Sequence, residues 1–337
     1  MLFKKTDTVL QYAELVSGIQ FNSIRSTINL VEQQHILPVL GSTLFNSLNT
    51  AYTAAADETS LTADLQNLLE KCRWVIGPML CYYYAPKSEV KIGESGAQRV
   101  ESETNKTAYQ NQVVNYREQN LREGELATEL LLQFLDENQS KYTAWVDSPG
   151  FQKYKELFIK SGSEFQDLFT SASPYRNYLA MRGKMLDVEQ NNIRPLLGDD
   201  LFNHLKELDQ SEEEFSENEE AILKKIKKVI AYLTVASAIP FLNVRMDANG
   251  ITVMNNSTAQ NDQLAKRSAA PNAILDSVIS ACNDAAKSWI NNVTTFLAAN
   301  PEDFAEYLPD PLVTGTQTQP EITGSQPECL NGSFGLI

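Results

Sequence analysis

The stretch VEQQHILPVLGSTLFNSL, residues 31–48, is repeated in altered form as VEQNNIRPLLGDDLFNHL at residues 188–205. Aligned without gaps, the two stretches share eleven of their eighteen residues. The shared residues are, in order, Val, Glu, Gln, Ile, Pro, Leu, Gly, Leu, Phe, Asn and Leu. A repeated stretch marks the unit from which a chain is built, so the chain is expected to contain two copies of one structural unit.

The duplication extends along most of the chain, with small changes of register. The second copy follows the first by 157 residues in the opening stretch, by 154 at Pro86 and by 162 at Asn138. Loop insertions produce such small differences. We therefore predict two tandem domains, residues 1–150 (repeat 1) and 151–309 (repeat 2). A tail rich in Thr, Gln, Pro and Gly follows at 310–337, and this composition predicts an extended or flexible segment.

Each repeat begins with an amphipathic helix that is interrupted by a Pro-x-Leu-Gly turn. The turn runs from Pro38 to Gly41 in repeat 1 and from Pro195 to Gly198 in repeat 2. Proline removes a backbone donor from the helical ladder, and glycine tolerates a backbone conformation with positive φ at a helix end. We predict that these four residues form a structural turn, followed by a short helix.

A longer helix follows the turn in both repeats. We expect it to begin after the N-cap residues Thr62 and Ser216, whose hydroxyl groups can accept a backbone hydrogen bond. We expect it to end before Pro86 and Pro240, because the residue before a proline disfavours helical backbone. A second long helix, with apolar residues three and four positions apart, closes each repeat.

After each proline the apolar period changes from helical to two. The segments EVKIGESGAQRV and NVRMDANGITVM predict β-hairpins at about 88–101 and 242–255. The candidate partner-binding residues of these hairpins are Val90, Lys91, Ile92, Gly96, Val244, Arg245, Met246, Asn249 and Gly250. The predicted fold class is therefore mainly α, with two similar helical bundles that are each interrupted by one β-hairpin.

Composition and charge exclude several classes of protein. The hydrophobic content of 42% in 337 residues argues against wholesale disorder. The formal net charge of −15 argues against a general nucleic-acid binder, which needs a basic surface. Four cysteines are too few and too irregularly spaced for a disulfide framework. Without a signal peptide or an apolar stretch of roughly 20 residues, we expect a soluble protein made in a reducing cytosol.

The duplication also tests candidate catalytic residues, because an inherited site should appear in both repeats. His35 and His204 each align with a residue that is not histidine, and apolar residues replace Cys72 and Cys81 in repeat 2. The acidic segment 209–220 lacks the ordered Asp and Asn ladder of a calcium loop. The sequence therefore predicts no catalytic residue, no metal site and no cofactor.

The order of helix, Pro-x-Leu-Gly-x-x-Leu-Phe turn, long helix, proline, hairpin and long helix resembles a known family. It is similar to the small head–tail connector, or adaptor, proteins that form neck rings in tailed bacteriophages. The doubled form resembles proteins carried by phages and prophages of Bacteroidetes, including the crAss-like group. The resemblance covers both repeats but not the tail from Asp310 onward.

This resemblance implies a non-enzymatic virion protein that is made in the host cytoplasm and located at the neck. Such adaptors form a ring at the portal vertex, join the capsid portal to the tail and extend the DNA channel. The implied partners are the portal protein, other neck or tail proteins, further copies of the chain and double-stranded DNA that passes without sequence recognition. Twelvefold portal rings suggest twelve copies, with six as the alternative.

The resemblance also suggests roles for the hairpins and the charge. The hairpins would pair with neighbouring subunits by strand addition, or else pack on their own bundles. The negative charge would let DNA slide without adhering to the channel.

Two other functions remain open at this point. An enzyme would place its active site in the cleft between the repeats, where carboxylates or arginines from both would converge. A host-surface or carbohydrate-binding module would ordinarily carry exposed aromatic platforms and an export signal, which the sequence does not show.

Overall fold

The computed structural model describes residues 1–93, 96–99, 109–171, 173–211, 214–242, 244–247, 250–253 and 272–304. The described part is mainly helical, as the sequence predicts. The predicted tail and Asn249 lie outside the described residues, so the structure does not bear on either of them.

Repeat 1 is built from helices that follow one another through short turns. The helices are α1 (Thr6–Val9), α2 (Phe21–Val31), α3 (Leu37–Ala54), α4 (Ala63–Glu89), α5 (Gln110–Glu137) and α6 (Thr143–Val146). A π-helical turn, Glu32–Ile36, joins α2 to α3. Helix α7 (Pro149–Lys155) leads into the second repeat, and α4 packs against α5.

Repeat 2 follows the same order of elements. Its helices are α8 (Gly162–Leu168), α9 (Pro174–Val188), α10 (Arg194–Leu197), α11 (Asp199–Gln210), α12 (Glu217–Leu242), α13 (Asn272–Ala299) and α14 (Pro301–Phe304). A second π-helical turn, Glu189–Ile193, joins α9 to α10. Helix α12 packs against α13 in the way that α4 packs against α5, and this agreement supports the tandem duplication.

A pair of short antiparallel strands follows the long helix in each repeat. Strands β1 (Val90–Gly93) and β2 (Gly96–Arg99) pair in repeat 1, and β3 (Val244–Asp247) and β4 (Gly250–Val253) pair in repeat 2. The first residue of one strand lies opposite the last residue of its partner. The residues that connect the paired strands lie outside the described residues.

Each repeat is stabilised by its own apolar core. The core of repeat 1 includes Ile24, Ile28 and Val31, which lie on one face of α2 because they are spaced by four and three residues. Cys72 and Cys81 are also fully buried in this core. Their burial agrees with the apolar residues that replace them in repeat 2.

The repeated Pro-Gly turn has the same backbone geometry in both repeats. Gly41 has φ +74° and ψ 160°, and Gly198 has φ +80° and ψ 160°. This region of backbone conformation is essentially restricted to glycine. Pro38 and Pro195 lie in the first turn of the helices that begin at Leu37 and Arg194, where a missing N–H costs little.

The predicted N-caps of the long helices are present. The hydroxyl oxygen of Thr62 accepts a hydrogen bond from the Leu65 amide at 3.4 Å, and that of Ser216 accepts one from the Glu219 amide at 3.3 Å. The Glu219 carboxylate in turn accepts a hydrogen bond from the Ser216 amide at 2.8 Å, which completes a capping box.

The predicted ends of these helices are wrong, because α4 continues through Pro86 and α12 through Pro240. A proline inside a helix deprives the carbonyl four residues earlier of its donor. In α4 that carbonyl belongs to Tyr82, and the Arg117 Nε of α5 donates to it at 3.3 Å. The neighbouring helix therefore replaces the bond that Pro86 cannot make.

We predict that replacing Gly198 with alanine lowers the free energy of unfolding by roughly 1–3 kcal/mol, because only glycine readily adopts its backbone conformation. Gly183→Ala is the control, since Gly183 lies inside α9 with open space around its Cα. That control should be neutral or stabilising by about 0.5–1 kcal/mol. Urea denaturation followed by circular dichroism measures both, and equal stability of the two variants would contradict the prediction.

Candidate functional site

One buried glutamate occurs at the same place in both repeats and holds the start of its repeat in place. Glu32 and Glu189 begin the two π-helical turns and are 2% and 1% exposed. The Glu32 carboxylate accepts a hydrogen bond from the Leu2 amide at 2.6 Å, and Glu189 accepts one from the Phe158 amide at 2.7 Å. Each glutamate therefore fixes an N-terminal segment to a helix about thirty residues further along the chain.

The cations that face these glutamates differ between the repeats. Lys206 Nζ lies 2.6 Å from Glu189 in repeat 2. The residue aligned with Lys206 is Asn49, whose side chain accepts a hydrogen bond from the Met1 ammonium group, and that group lies 3.9 Å from Glu32. Burial raises the pKa of both glutamates and lowers the pKa of Lys206. Both carboxylates are occupied in holding the fold.

A cation on the long helix is also matched between the repeats, fully buried in repeat 1 and partly buried in repeat 2. Arg73 of α4 is 2% exposed and donates to both oxygens of Glu58, at 2.7 and 2.8 Å. Its counterpart in α12 is Lys227, whose ammonium group lies 2.5 Å from Glu164. Each cation ties the long helix to a carboxylate on a preceding element, so this matched pair is structural too.

The two histidines take part in separate local contacts. His35 shares a 3.1 Å hydrogen bond with the Tyr83 hydroxyl group, and burial lowers the pKa of its imidazole. His204 contacts Glu219 at 2.6 Å near the start of α12. The histidines therefore lie in different repeats and do not share a site.

The two repeats meet where α5 of repeat 1 packs against α8 and α9 of repeat 2, a contact that we call the junction. Glu129 of α5 is 8% exposed, and its two carboxylate oxygens accept hydrogen bonds from the Tyr175 and Arg176 amides at 2.8 and 2.9 Å. These amides lie in the first turn of α9, where unpaired N–H groups and the helix dipole favour an anion. Glu125 adds an ion pair with Arg176 at 3.1 Å. We call these four residues the clamp.

A cleft with a volume of about 160 Å³ opens beside the clamp. Residues from both repeats line it: Leu132, Asp136, Gln139, Trp145, Val146, Phe151, Lys155, Lys160, Ser161, Gly162, Tyr175, Tyr178, Leu179 and Arg182. The Tyr175 ring lies so close to Gly162 that a Cβ atom there would come within 2.5 Å of it. Glycine at this position therefore allows α8 and α9 to close one wall of the cleft.

The carboxyl group that lines the cleft, Asp136, has a raised pKa. Burial has the largest effect and raises the pKa of Asp136. Hydrogen bonds from Ser163 and Gln139, each at 3.0 Å, lower this pKa by a smaller amount. The nearby carboxylates of Glu137 and Glu164 raise the pKa further. Because the Ser163 bond crosses from repeat 2 to repeat 1, Asp136 contributes to the junction as well as to the cleft.

Most polar groups around the cleft are engaged in structural bonds. Lys160 pairs with Asp209 at 3.0 Å, Arg182 donates to the Gly150 carbonyl at 3.2 Å, and the Tyr178 hydroxyl donates to a backbone carbonyl at 3.1 Å. In the part of the chain that the structure describes, no cluster of three potential metal ligands occurs. The cleft is thus built mainly as a packed contact between the repeats.

The predicted turn of repeat 1 lies next to this region. The Trp145 indole donates to the Val39 carbonyl at 2.9 Å, and a Cβ atom on Gly41 would lie 2.9 Å from the Ser148 Cβ. The turn therefore contacts α6 and the start of α7, which lead into the junction. In the hairpins, Val90 is 46% exposed.

The residues that matter most at this site were not predicted from the sequence. Glu32 and Glu189 stand among the identical residues of the repeated stretch, so a signal was present. Glu129 and Arg176 had no such signal, because the clamp joins the repeats and is not duplicated within them.

None of the helices among the described residues combines the length and apolar character needed to cross a bilayer.

Comparison with known proteins gives one positive result. A model for a family of unknown function (DUF6712) matches residues 36–155 and 193–315. The two matches begin within the two copies of the repeated stretch, so the family unit occurs twice in the chain. No curated protein and no solved structure matches the chain.

We predict that Glu129→Ala lowers the free energy of unfolding by about 2 kcal/mol, because two partly buried amides lose a charged acceptor. Asn291→Ala is the matched control, since Asn291 occupies the corresponding position on α13 and is exposed. That control should leave stability unchanged. Chemical denaturation of both variants measures the difference, and identical curves for the two would show that the clamp adds no stability.

We predict that Asp136→Asn stabilises the protein at neutral pH. A carboxyl group whose pKa is raised by folding makes the ionised folded state less favourable above that pKa, and the penalty vanishes below the unfolded pKa of about 3.8. The advantage of the variant should therefore shrink as the pH falls towards 4. Thermal unfolding at several pH values tests this, with the exposed Asp187→Asn as control. A pH-independent difference would contradict the prediction.

Proposed function

We propose a structural role in assembly for this chain, which belongs to DUF6712, a family of unknown function. The proposed protein is a non-enzymatic subunit that associates with copies of itself and with partner proteins through its helical repeats. The observation that carries this proposal is that the charged residues matched between the repeats are used to hold the fold. The glutamates Glu32 and Glu189 and the cations Arg73 and Lys227 all hold helices together.

We further propose that the assembly is a neck ring of a tailed bacteriophage, at the portal vertex of the virion. The sequence resemblance to head–tail connectors supports this proposal, together with the doubled helical unit. In this role the ring joins the capsid portal to the tail and extends the channel for double-stranded DNA. The net charge of −15 suits a wall along which phosphates slide without sequence recognition. Twelve copies, or six, would match a twelvefold portal.

The strand pairs are the proposed contact with neighbouring subunits. A short two-stranded sheet has unpaired backbone groups along its edges, which can pair with a strand from another chain. Val90, the first residue of β1, exposes nearly half of its side chain. An apolar side chain at the base of the hairpin gives a partner strand something to cover.

The cleft gives less support to an enzymatic function than to a structural role. An enzymatic function requires unpaired carboxylates or arginines from both repeats. Asp136 is the one carboxyl group in the lining of the cleft, and Ser163 and Gln139 bond to it. Arg182 is likewise bonded to the Gly150 carbonyl. Turnover that is abolished by Asp136→Ala would be required to revive an enzymatic function.

We predict that the purified full chain forms a ring oligomer, with a mass corresponding to twelve or six chains. Mass photometry and negative-stain electron microscopy measure this directly. A chain that stays monomeric at micromolar concentration, alone and with a portal protein, would contradict the proposed function.

A second arm of the same experiment addresses the hairpins. Val90→Asp should reduce the oligomeric fraction, because a charge replaces an apolar side chain at the proposed contact. Val16→Asp is the control, since Val16 is 76% exposed and lies outside the hairpins. If both variants assemble like the original chain, the hairpin contact is wrong.

A further inference from the structure

We infer that the junction between the repeats is made once in each chain, within that chain, and does not recur between copies. This inference deepens the proposed function and rests on it only for the assembly of copies. It follows from a comparison of the junction with the two corresponding faces, on α13 and on α1–α2, which the described residues leave exposed at Asn22, Lys287 and Asn291. We call these the unused faces.

The junction is a contact between different faces of two similar units. Helix α5 of repeat 1 supplies one face, and α8 with α9 of repeat 2 supplies the other. Such heterologous contacts can continue from unit to unit and produce rings or filaments. If the contact continued, the α13 face of one copy would bind the α1–α2 face of the next. The assembly would then consist of equivalent repeats rather than equivalent chains.

Helices α5 and α13 correspond residue by residue, at an offset of 162. Both contain 28 residues, and both end at an asparagine whose side chain bonds to a carbonyl four residues earlier. The bond runs from Asn138 to Phe134 at 2.9 Å and from Asn300 to Phe296 at 2.8 Å. This shared helix end fixes the correspondence of the two outer faces.

The outer face of α13 lacks the acidic half of the clamp. Glu125 corresponds to Lys287 and Glu129 to Asn291. Lys287 and Asn291 are both exposed. A lysine and a neutral amide cannot supply the anion that the first turn of a helix favours. The charge complementarity of the junction is therefore absent from this end of the chain.

The corresponding face of repeat 1 lacks the other half of the clamp. Helices α2 and α9 correspond at an offset of 157, but α9 begins at Pro174 whereas α2 begins four residues later, at Phe21. The additional turn of α9 carries both amides that bind Glu129. The residue of repeat 1 that corresponds to Arg176 is Ile19, and its amide already donates to the Val16 carbonyl at 3.1 Å.

The two unused faces therefore lack both halves of the clamp and do not fit each other in the manner of the junction. In a ring, the order of rotational symmetry then equals the number of chains. The two repeats of each chain occupy different environments. Copies then contact one another through surfaces other than α13 and α2.

The test places bulky charges on the unused faces of the full chain. Asn291→Arg alters the α13 face and Asn22→Arg alters the α2 face, and both residues are exposed. Mass photometry should give both variants the oligomer mass of the original chain. Thermal unfolding of each variant verifies that the fold is intact. Class averages from electron microscopy should show a rotational order equal to the number of chains.

The outcomes separate this inference from the proposed function. Dissociation of the oligomer by either charged variant, with an unchanged melting temperature, would overturn the inference and leave the ring intact as a proposal. A rotational order of twice the number of chains would overturn it as well. If the original chain is strictly monomeric, the proposed ring is wrong. The inference still holds in that case, because the unused faces then make no contact between copies.

Discussion

The fold of each repeat depends on a carboxylate that has been taken out of water. Glu32 and Glu189 lie at the point where an α-helix widens into a π-helical turn, and each accepts a hydrogen bond from the backbone of the segment that starts its repeat. Burying a carboxylate is unfavourable unless it is bonded and faces a cation. The start of the repeat must therefore dock correctly before this cost is offset.

The same arrangement explains why the repeated stretch is so well preserved between the two halves. The glutamate, the proline and the glycine act in sequence along about ten residues. The glutamate faces the core, the proline lies in the first turn of the next helix, and the glycine takes a conformation that other residues avoid. The three residues therefore lie together at the point where one helix follows the other.

Whereas the buried glutamate is the same in both repeats, the charged residues of the junction differ from one repeat to the other. Duplication supplies two copies of a unit with identical surfaces, and such surfaces can associate without limit. In this chain, three exchanges of an acidic residue for a neutral or basic one, at Glu125, Glu129 and Asp136, and an added helical turn at the start of α9 separate the joined faces from the unused ones. Two similar units are thereby held as one bilobed subunit, which is the form that the proposed assembly requires.

The sequence by itself determined the doubling, the helical class, the N-caps at Thr62 and Ser216 and the glycines at the turns. These features depend on neighbours within a few residues, so periodicity and residue type are sufficient. The tertiary structure alone decided that α4 passes through Pro86, because Arg117 supplies the missing bond from a distant part of the chain. It also decided the clamp, in which Glu129 binds amides 46 and 47 residues away. No local pattern encodes such contacts, since they exist only once packing has fixed the orientation of whole helices.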